Sequence, residues 1–380
     1  MRNVLIFSPI FYPDIGGPAV QGKFLAELLA ENGYSVTVIK YNSNVIKFEN
    51  SNIKVVSLGW DSTSRFRRIF RWVVSPILAI FFMIKFRPQV YLSNSVFFTG
   101  MVFGAIYRLF GISTMIKFAG DWVSESTNSI KDNRINFEDV YKKSYLTKTL
   151  LRIQKHMLST FSCIWVISEH RAENVFRIIG SSSNIWTQRN FHRLPLYSGI
   201  KNESKALVIC TASRLIPHKR LDQVLKCISE LNSDKLVLII CGEGPESDKL
   251  KNYRLELNLE NKVFMLGAIS TTLLYKVFEI SDLYLSWSSE EGAPNVFIEA
   301  MNFELGIVSA DVGGISEMFK KDNSALLLDP DNIDALKACL QDLILHRDKV
   351  KSLQKSSKDE CFKFTLEYNA QNVLEKFNTL

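Results

Sequence analysis

The segment most suggestive of chemistry is the turn after an apolar strand predicted over Leu283–Trp287. The turn contains Gly292, Ala293, Pro294, Asn295 and Val296 and leads into a predicted helix. Gly292 lets a ligand approach the backbone closely, and Pro294 suits a first helical turn. N–H groups at the start of such a helix attract an anion, for example a diphosphate.

Two carboxylates flank this turn. Glu291 lies in the loop, and Glu299 follows eight positions later, which predicts a place about two turns into the helix. At this spacing the two side chains can contact opposite ends of an extended ligand. The residues alone leave open an ordinary strand–helix turn with two solvated glutamates.

A basic loop follows another predicted strand, Ala206–Thr211. Arg214 and Lys219 lie between that strand and a helix that starts near Leu221. A guanidinium fork and an ammonium point charge at the carboxyl end of a strand suit a diphosphate. Surface charges at a turn remain the alternative, and His218 is more simply a loop residue than a catalytic base.

Glycine-rich turns occur at further strand–helix junctions. Gly16 and Gly17 precede the first predicted helix, where adjacent glycines can wrap a phosphate or the edge of a sugar. Similar turns occur at Gly242–Pro245 and at Gly313–Gly314. None of them has the glycine spacing of the dinucleotide-binding fingerprint, so each turn is weak evidence by itself.

Two successive series of strands and helices must position these loops. The first series has strands predicted at Val4–Ser8, Tyr34–Lys40, Ile53–Leu58, Val90–Ser93, Ser113–Phe118 and Cys163–Ile167. The second has strands predicted at Ala206–Thr211, Lys235–Cys241, Lys262–Leu266, Leu283–Trp287, Ile307–Ala310 and Ala325–Leu328. Short apolar strands separated by helices predict parallel sheets covered on both faces. Arg193–Ser204 reads as the linker, so the expected fold is α/β, with two facing Rossmann-like, doubly wound domains and a cleft between them.

The composition limits the possible partners and compartments. The 380 residues carry a formal charge of +7, which favours an anionic partner such as nucleotide phosphates, a membrane surface or nucleic acid. No nucleic-acid recognition motif is present, so nucleic acid is the least supported of the three. The 6 cysteines show no zinc-type spacing, which indicates reduced thiols in a cytoplasmic protein. The N-terminus does not resemble a signal peptide, and the apolar run Trp72–Ile84 is too short for a membrane span.

Taken in order, these motifs resemble the retaining family 4 glycosyltransferases, which have the two-domain GT-B fold. The matching segments are Gly16-Gly17, Val166-Ile167-Ser168, Ser213-Arg214 with Lys219, Gly242–Pro245, Val263–Gly267, the Glu291 and Glu299 pair, and Val312–Glu317. The ordered set covers nearly the whole chain. It predicts an acceptor-side domain at 1–192, a nucleotide-sugar-binding domain at 193–361 and a C-terminal helix, 362–380, that packs back on the first domain.

The resemblance also implies roles for individual residues. Arg214 and Lys219 would neutralise the donor diphosphate, Glu291 would hold hydroxyls of the transferred sugar, and Glu299 would bind the ribose. Among the remaining positions, the backbone from Gly292 to Val296 would cradle sugar and phosphate, Gly267 would lie by the base, and Gly16 and Gly17 would close over the phosphates. The implied reaction needs no metal and no cofactor beyond a UDP- or GDP-linked donor, and its implied mechanism is front-face attack.

Some positions depart from the family pattern. The family often has a histidine after the strand Ser113–Phe118, whereas this chain has Asp121 there. Asp121 is a candidate sugar contact or base, and a buried structural aspartate is an equal alternative. The Gly and Pro that usually follow the glutamate helix fall on Glu304 and Gly306, and the Asn-Gly expected at the linker is Asn190-Phe191.

The first domain carries a basic surface mixed with apolar residues. No Asp or Glu occurs from Ser62 to Gly120, where Arg65, Arg67, Arg68 and Arg71 interleave with Phe66, Ile69, Phe70 and Trp72. A second basic cluster comprises Lys142, Lys143, Lys148, Arg152, Lys155 and His156. This pattern predicts contact with an anionic membrane on the cytoplasmic side, and a solvated helix face is the alternative.

The expected activity is therefore transfer of a sugar to a glycan or lipid-linked acceptor. The setting would be the biosynthesis of a bacterial cell-surface polysaccharide, such as lipopolysaccharide, O-antigen or capsule. Two other functions stay open. A nucleotide-sugar 2-epimerase shares the fold but would need additional acid/base groups in the cleft. A non-catalytic scaffold that binds a nucleotide sugar would need only part of the site.

Overall fold

The computed structural model describes residues 2–14, 16–60, 65–120, 145–195, 197, 199, 205–231, 233–319 and 324–380. Of residues 65–72 and 145–147 only the backbone is described. The chain forms two compact units, one of Met1–Phe191 with Leu366–Leu380 and one of His192–Thr365. The expected boundaries were 192/193 and 361/362, and the chain crosses between the units at 191/192 and 365/366.

The first unit is built on a 7-stranded parallel sheet with the strand order β3-β2-β1-β4-β5-β6-β7. Its strands are β1 (Arg2–Phe7), β2 (Tyr34–Lys40), β3 (Ile53–Ser57), β4 (Val90–Ser93), β5 (Ser113–Phe118), β6 (Cys163–Val166) and β7 (Ile185–Thr187). The sequence predicted the first six. It missed β7, which has 3 residues, all partly exposed, and therefore lacks an apolar run.

Helices cover both faces of this sheet. They are α1 (Gly17–Glu31), α2 (Arg65–Phe86), α3 (Phe98–Leu109), α4 (Tyr145–Ser159), α5 (Glu169–Ile179) and, at the end of the chain, α13 (Leu366–Thr379). Alternate residues of a strand point to opposite faces, so Ile6 packs with α1 and α13 while Phe7 packs with α2 to α5. At Ser168, which belongs to one of the quoted motifs, the hydroxyl accepts a hydrogen bond from the N–H of Arg171 and caps α5.

The second unit has a 6-stranded parallel sheet with the order β10-β9-β8-β11-β12-β13. The strands are β8 (Leu207–Ala212), β9 (Leu236–Cys241), β10 (Val263–Gly267), β11 (Leu283–Ser286), β12 (Gly306–Ala310) and β13 (Ala325–Leu328). The helices are α6 (Leu221–Leu231), α7 (Ser247–Glu256), α8 (Thr271–Ile280), α9 (Asn295–Asn302), α10 (Gly314–Phe319), α11 (Ile333–Leu345) and α12 (Arg347–Cys361). The strand order reverses direction between β8 and β11, as in a Rossmann fold.

The apolar run Trp72–Ile84 belongs to helix α2, which continues through Pro76. Among the described residues, no helix is both long and apolar enough to cross a membrane. One side of α2 packs on the sheet through Ala79 and Phe82.

The C-terminal helix α13 completes the core of the first unit. Phe377 and Val373 are fully buried beside α1, and the Arg2 guanidinium donates a 2.6 Å hydrogen bond to the carbonyl of Phe377. We predict that Phe377→Ala lowers the free energy of unfolding by about 3–4 kcal/mol, because it leaves a cavity in a packed core. Urea denaturation followed by far-UV circular dichroism measures this loss.

Tyr368→Ala is the matched control in the same helix, since Tyr368 is 59% exposed. Its loss should be less than about 1 kcal/mol. Equal losses for the two variants would show that α13 adds no core to the first unit.

Candidate functional site

The candidate site lies at the carboxyl ends of β8 and β11, where the strand order of the second unit reverses. The loops that leave two such strands diverge to opposite faces of the sheet and open a crevice. The loop after β8 carries Arg214 and Lys219, and the loop after β11 carries Glu291 and Gly292. Both charged sequence motifs therefore arise at the same edge of one sheet.

Lys219 and Glu291 form a close ion pair. The Lys219 side chain is 15% exposed and that of Glu291 12% exposed, so the pair is largely withdrawn from water. Ser288 donates a 2.9 Å hydrogen bond from its hydroxyl to the same carboxylate oxygen of Glu291. The backbones of the two loops are joined as well, because the Ser289 N–H donates to the carbonyl of His218 at 2.8 Å.

The turn after β12 supports the Glu291 loop from another side. The Gly314 N–H donates a 3.1 Å hydrogen bond to the Glu291 carbonyl. A Cβ atom on Gly313 would lie 2.2 Å from that oxygen, and the φ of Gly313 is +51°. Position 313 therefore requires glycine for both space and backbone conformation. Burial and the neighbouring Lys219 lower the pKa of His218 in the adjoining loop.

The helix after the acidic loop begins later than the sequence predicted. Pro294 is the residue before α9, with φ −71° and ψ 126°, and the helix starts at Asn295. Proline therefore precedes the first helical turn instead of forming part of it. Glu299 consequently lies four residues after the start of α9, a little more than one turn into the helix and not two.

Glu299 is buried under a tyrosine and a histidine. The Tyr275 hydroxyl donates a 3.4 Å hydrogen bond to its carboxylate, and the Nε2 atom of His192 lies 3.7 Å from the same oxygen. Burial raises the pKa of Glu299 to about 7, although the hydrogen bond from Tyr275 opposes the shift. Burial also lowers the pKa of His192 to about 4, so this imidazole is neutral at pH 7.

Arg214 lies at the other end of the basic loop and is exposed. The next residue, Leu215, donates its N–H to the carbonyl of Glu243 at 2.9 Å, which attaches the loop to the turn after β9. The strands come so close here that a Cβ on Gly242 would lie 1.9 Å from the carbonyl oxygen of Ser213. The structure thus brings Lys219 to Glu291, while Arg214 lies beside the Gly242 turn.

A pocket of about 530 Å³ opens beside this turn. Its lining includes Leu215, Gly242, Gly244, Met265 and Gly267. The Gly242 N–H donates a 2.7 Å hydrogen bond to the Gly267 carbonyl, and Gly267 has a φ of +70°. Backbone groups and small residues therefore form much of this surface, which leaves room for a flat ligand.

The glycine loop of the first unit precedes α1. Gly16 has φ +146° and Gly17 is the first helical residue, with the N–H of Ala19 bonded to the Gly16 carbonyl at 3.1 Å. The preceding segment is held by Lys40, whose buried ammonium contacts the carboxylate of Asp14 at 3.2 Å. Asp121, the other candidate in this unit, lies outside the described residues.

Within the described ranges, no group of three or more His, Cys, Asp or Glu side chains is arranged to hold a metal ion.

Comparison with known proteins identifies the family. Residues 198–360 match the model for glycosyl transferases group 1. A human protein, the catalogued first component of phosphatidylinositol N-acetylglucosaminyltransferase, is 26% identical over 343 residues, which cover 87% of this chain and 66% of that protein. An uncharacterized glycosyltransferase of Methanocaldococcus jannaschii is 24% identical over 341 residues, or 86% of this chain and 85% of its own length. The chain is a glycosyltransferase of group 1.

Solved structures agree on the fold of this glycosyltransferase. Sucrose-phosphate synthase from Thermosynechococcus elongatus has a TM-score of 0.81 at 15% identity, over 100% of this chain and 99% of that one. Anabaena HepE in complex with UDP has a TM-score of 0.73 at 16% identity, with 100% of both chains covered. The fold is GT-B, which confirms the expected class of two Rossmann-like α/β domains. The enzyme is a hexosyltransferase-type glycosyltransferase that uses a nucleotide sugar.

Two features of the glycosyltransferase site had no signal in the sequence. His192 and Tyr275 surround Glu299 from positions 107 and 24 residues away along the chain, so only the fold brings them together. Glu304, at the place where the family usually has glycine, adopts φ +59°. The left-handed turn after the glutamate helix is therefore kept although the glycine is missing.

The raised pKa of Glu299 predicts a pH-dependent stability. The folded-state pKa of about 7 lies above the ordinary value of 4.5, so the folded protein holds a proton that the unfolded chain releases between these pH values. Below pH 4.5 this group costs nothing, and the cost grows until the pH passes 7. Glu299→Gln removes it, so we expect the variant to gain about 2–3 kcal/mol relative to the wild type between pH 4.5 and pH 8.

Urea unfolding of both proteins across this pH range measures the difference. Glu256→Gln, at an exposed position of α7, is the control and should follow the wild type at every pH. A gap between Glu299→Gln and the wild type that does not change with pH would contradict the buried, protonated carboxyl.

Proposed function

We propose that this enzyme transfers a hexosyl group with retention from a UDP- or GDP-linked sugar to a glycan or lipid-linked acceptor. The proposed setting is the synthesis of a bacterial cell-surface polysaccharide, such as lipopolysaccharide, O-antigen or capsule. Transfer requires neither a metal ion nor a further cofactor. The observation that carries the proposal is the meeting of Lys219 with Glu291, which brings a cation and a carboxylate to the strand ends where the order reverses.

In the proposed reaction the bond between the anomeric carbon and the donor phosphate breaks. The acceptor hydroxyl forms a new bond to that carbon on the same face, and its proton passes to the departing phosphate oxygen. Negative charge grows on the diphosphate, so cations fixed in advance lower the barrier. We assign this role to Lys219 and Arg214, and we assign Glu291 to hydroxyls of the transferred sugar, with Gly292 to Val296 around sugar and phosphate.

The nucleoside is assigned to the pocket beside Gly267 and to Glu299. The pocket volume of about 530 Å³ and its glycine backbone suit a flat base, and a carboxylate at Glu299 suits two ribose hydroxyls. Gly16 and Gly17 are assigned to the donor phosphates on the basis of the family resemblance, and Asp121 to the transferred sugar or the acceptor proton on the same basis.

The names of the relatives support the acceptor class. One relative is the poly(ribitol-phosphate) alpha-N-acetylglucosaminyltransferase of Staphylococcus aureus, 27% identical over 201 residues, or 52% of this chain and 39% of that protein. The human relative is named for phosphatidylinositol. Both names describe acceptors that are lipids or polymers with phosphate groups, which is compatible with a basic protein of charge +7.

The test begins with a thermal-shift screen of UDP- and GDP-sugars, followed by release of nucleoside diphosphate from the best donor. We expect Lys219→Ala and Arg214→Ala each to lower that rate by about 10²–10³-fold, because each removes charge that stabilises the leaving group. Lys226→Ala, at an exposed position of α6, is the control and should leave the rate unchanged.

The products separate the remaining functions. A retaining transferase yields a glycoside with the anomeric configuration of the donor, which proton NMR reads from the coupling of the anomeric hydrogen. A 2-epimerase instead changes the configuration at C2 of the sugar, and a scaffold shifts the melting temperature without releasing nucleoside diphosphate. An inverted product, or a Lys219→Ala variant as active as the wild type, would contradict the proposed mechanism.

We further propose that the enzyme works at the cytoplasmic face of an anionic membrane. The basis is the sequence from Ser62 to Gly120, which has no acidic residue and includes Arg67, Arg68 and Arg71. Changing these three arginines to glutamate should lower co-flotation with vesicles that contain phosphatidylglycerol by more than about tenfold, since each arginine near such a surface contributes about 1 kcal/mol.

The control reverses the charge of three exposed lysines in the second unit, Lys249, Lys251 and Lys276. A smaller loss is expected because the net charge falls equally while the basic stretch stays intact. If both triple variants lost binding equally, net charge and not the basic stretch would account for the attraction.

A further inference from the structure

Helix α2 carries an apolar stripe on its outer side. The stripe comprises Val73, Ile77, Ile80, Phe81 and Ile84, which are 68%, 66%, 44%, 50% and 66% exposed. At 3.6 residues per turn these positions fall within an arc of about 100°. Large side chains so exposed on one helix face form a continuous apolar surface, and surfaces of this kind mark contact sites.

The opposite side of the same helix is already used by the fold. Ser75, Ala79 and Phe82 are buried, and Ala79 and Phe82 belong to the core shared with α3. Since one side of α2 is fixed to the sheet, the stripe cannot turn inward to hide. The packed side also prevents the helix from crossing a bilayer, so its axis must lie along any membrane it meets.

The end of α3 extends the apolar surface. Leu109 is 85% exposed and Phe110 is 63% exposed. Strands β4 and β5 are parallel neighbours, and α2 and α3 end just before them. Ile84, Leu109 and Phe110 therefore lie at the same edge of the sheet.

Basic side chains border this edge. Lys54, Lys85, Arg87 and Arg108 are all exposed there. The Lys85 ammonium lies 5.1 Å from the centre of the Phe81 ring and 5.6 Å from that of Phe86, so its alkyl chain runs along apolar surface while the charge stays outside. Apolar side chains bordered by cations complement a lipid interface whose headgroups are anionic.

The charge pattern distinguishes a membrane from a second copy of the chain. In a two-fold pair the same patch meets itself, which would bring the Lys85 and Arg87 clusters of both copies together. The segment from Ser62 to Gly120 contains no acidic residue to offset that repulsion. An anionic surface meets no such penalty.

We propose that α2 inserts its apolar stripe into the interface of an anionic membrane, with Lys85, Arg87 and Arg108 at the level of the headgroups. The helix lies in the plane of the interface over a length of about 33 Å. This proposal rests on the proposed membrane association and assigns it a surface. It differs from attraction through Arg67, Arg68 and Arg71 alone, because apolar burial persists when salt screens the charges.

The test compares two triple variants in co-flotation with vesicles of phosphatidylcholine and phosphatidylglycerol. The stripe variant is Ile77→Ser, Phe81→Ser and Ile84→Ser. The matched control is Leu255→Ser, Leu273→Ser and Leu345→Ser, at positions of the second unit that are 49%, 47% and 68% exposed. We expect the stripe variant to lose at least about tenfold in partitioning at high salt, whereas the control partitions as the wild type does.

Depth is measured separately by placing tryptophan in the stripe. Phe81→Trp should be quenched by lipids with brominated acyl chains, and Leu345→Trp, exposed on the second unit, should add no such quenching. Circular dichroism and the nucleotide-induced thermal shift of each variant show that it is folded.

Three results would overturn the inference: a wild type that stays unbound, a stripe variant that binds as the wild type does, or absence of quenching at Trp-substituted position 81. A wild-type dimer that the stripe variant dissociates would identify a second copy as the occupant instead. None of these measurements needs a sugar donor or turnover. Loss of the membrane surface and failure of the proposed transfer reaction are therefore observed independently.

Discussion

The ion pair between Lys219 and Glu291 joins two loops whose residues are 72 positions apart in the chain. Both side chains are largely withdrawn from water, so removing one partner would leave a poorly solvated charge. The backbone bond from Ser289 to His218 and the Gly314 bond to Glu291 fix the same contact. The turn is thus in place before any ligand arrives, and an anion that binds Lys219 must compete with the Glu291 carboxylate, which then becomes available to a sugar hydroxyl.

The glycine turns have a structural reason that precedes any functional one. A Cβ on Gly242, Gly244 or Gly313 would lie 1.9, 2.2 or 2.2 Å from a backbone carbonyl of a neighbouring loop. The loops after β8, β9, β11 and β12 therefore approach one another more closely than side chains allow. That approach places N–H groups and small surfaces around the switch point, so the packing requirement and a nucleotide-binding role favour the same residues.

Local patterns predicted much of the fold, because apolar strands and amphipathic helices are signalled by their own residues. The charged loops were predicted for the same reason, since each follows a strand whose carboxyl end is fixed by topology. The position of Pro294 before α9 and the depth of Glu299 depend on where one helix begins, which propensity leaves uncertain by a residue or more. The contacts of Glu299 with His192 and Tyr275 depend on chain crossings that no local pattern records.

Helix α2 shows how one sequence feature supports two surfaces. Its apolar run is long enough to bury Ala79 and Phe82 and still leave Ile77 and Ile84 outside, yet Ser75 and Pro76 interrupt it. An apolar stripe on a water-facing helix promotes association unless something covers it. Cations of a single sign around the stripe oppose contact between copies and favour an anionic surface. The stripe and its charges therefore select the same kind of partner for different physical reasons, and neither is required to build the loops that hold Glu291.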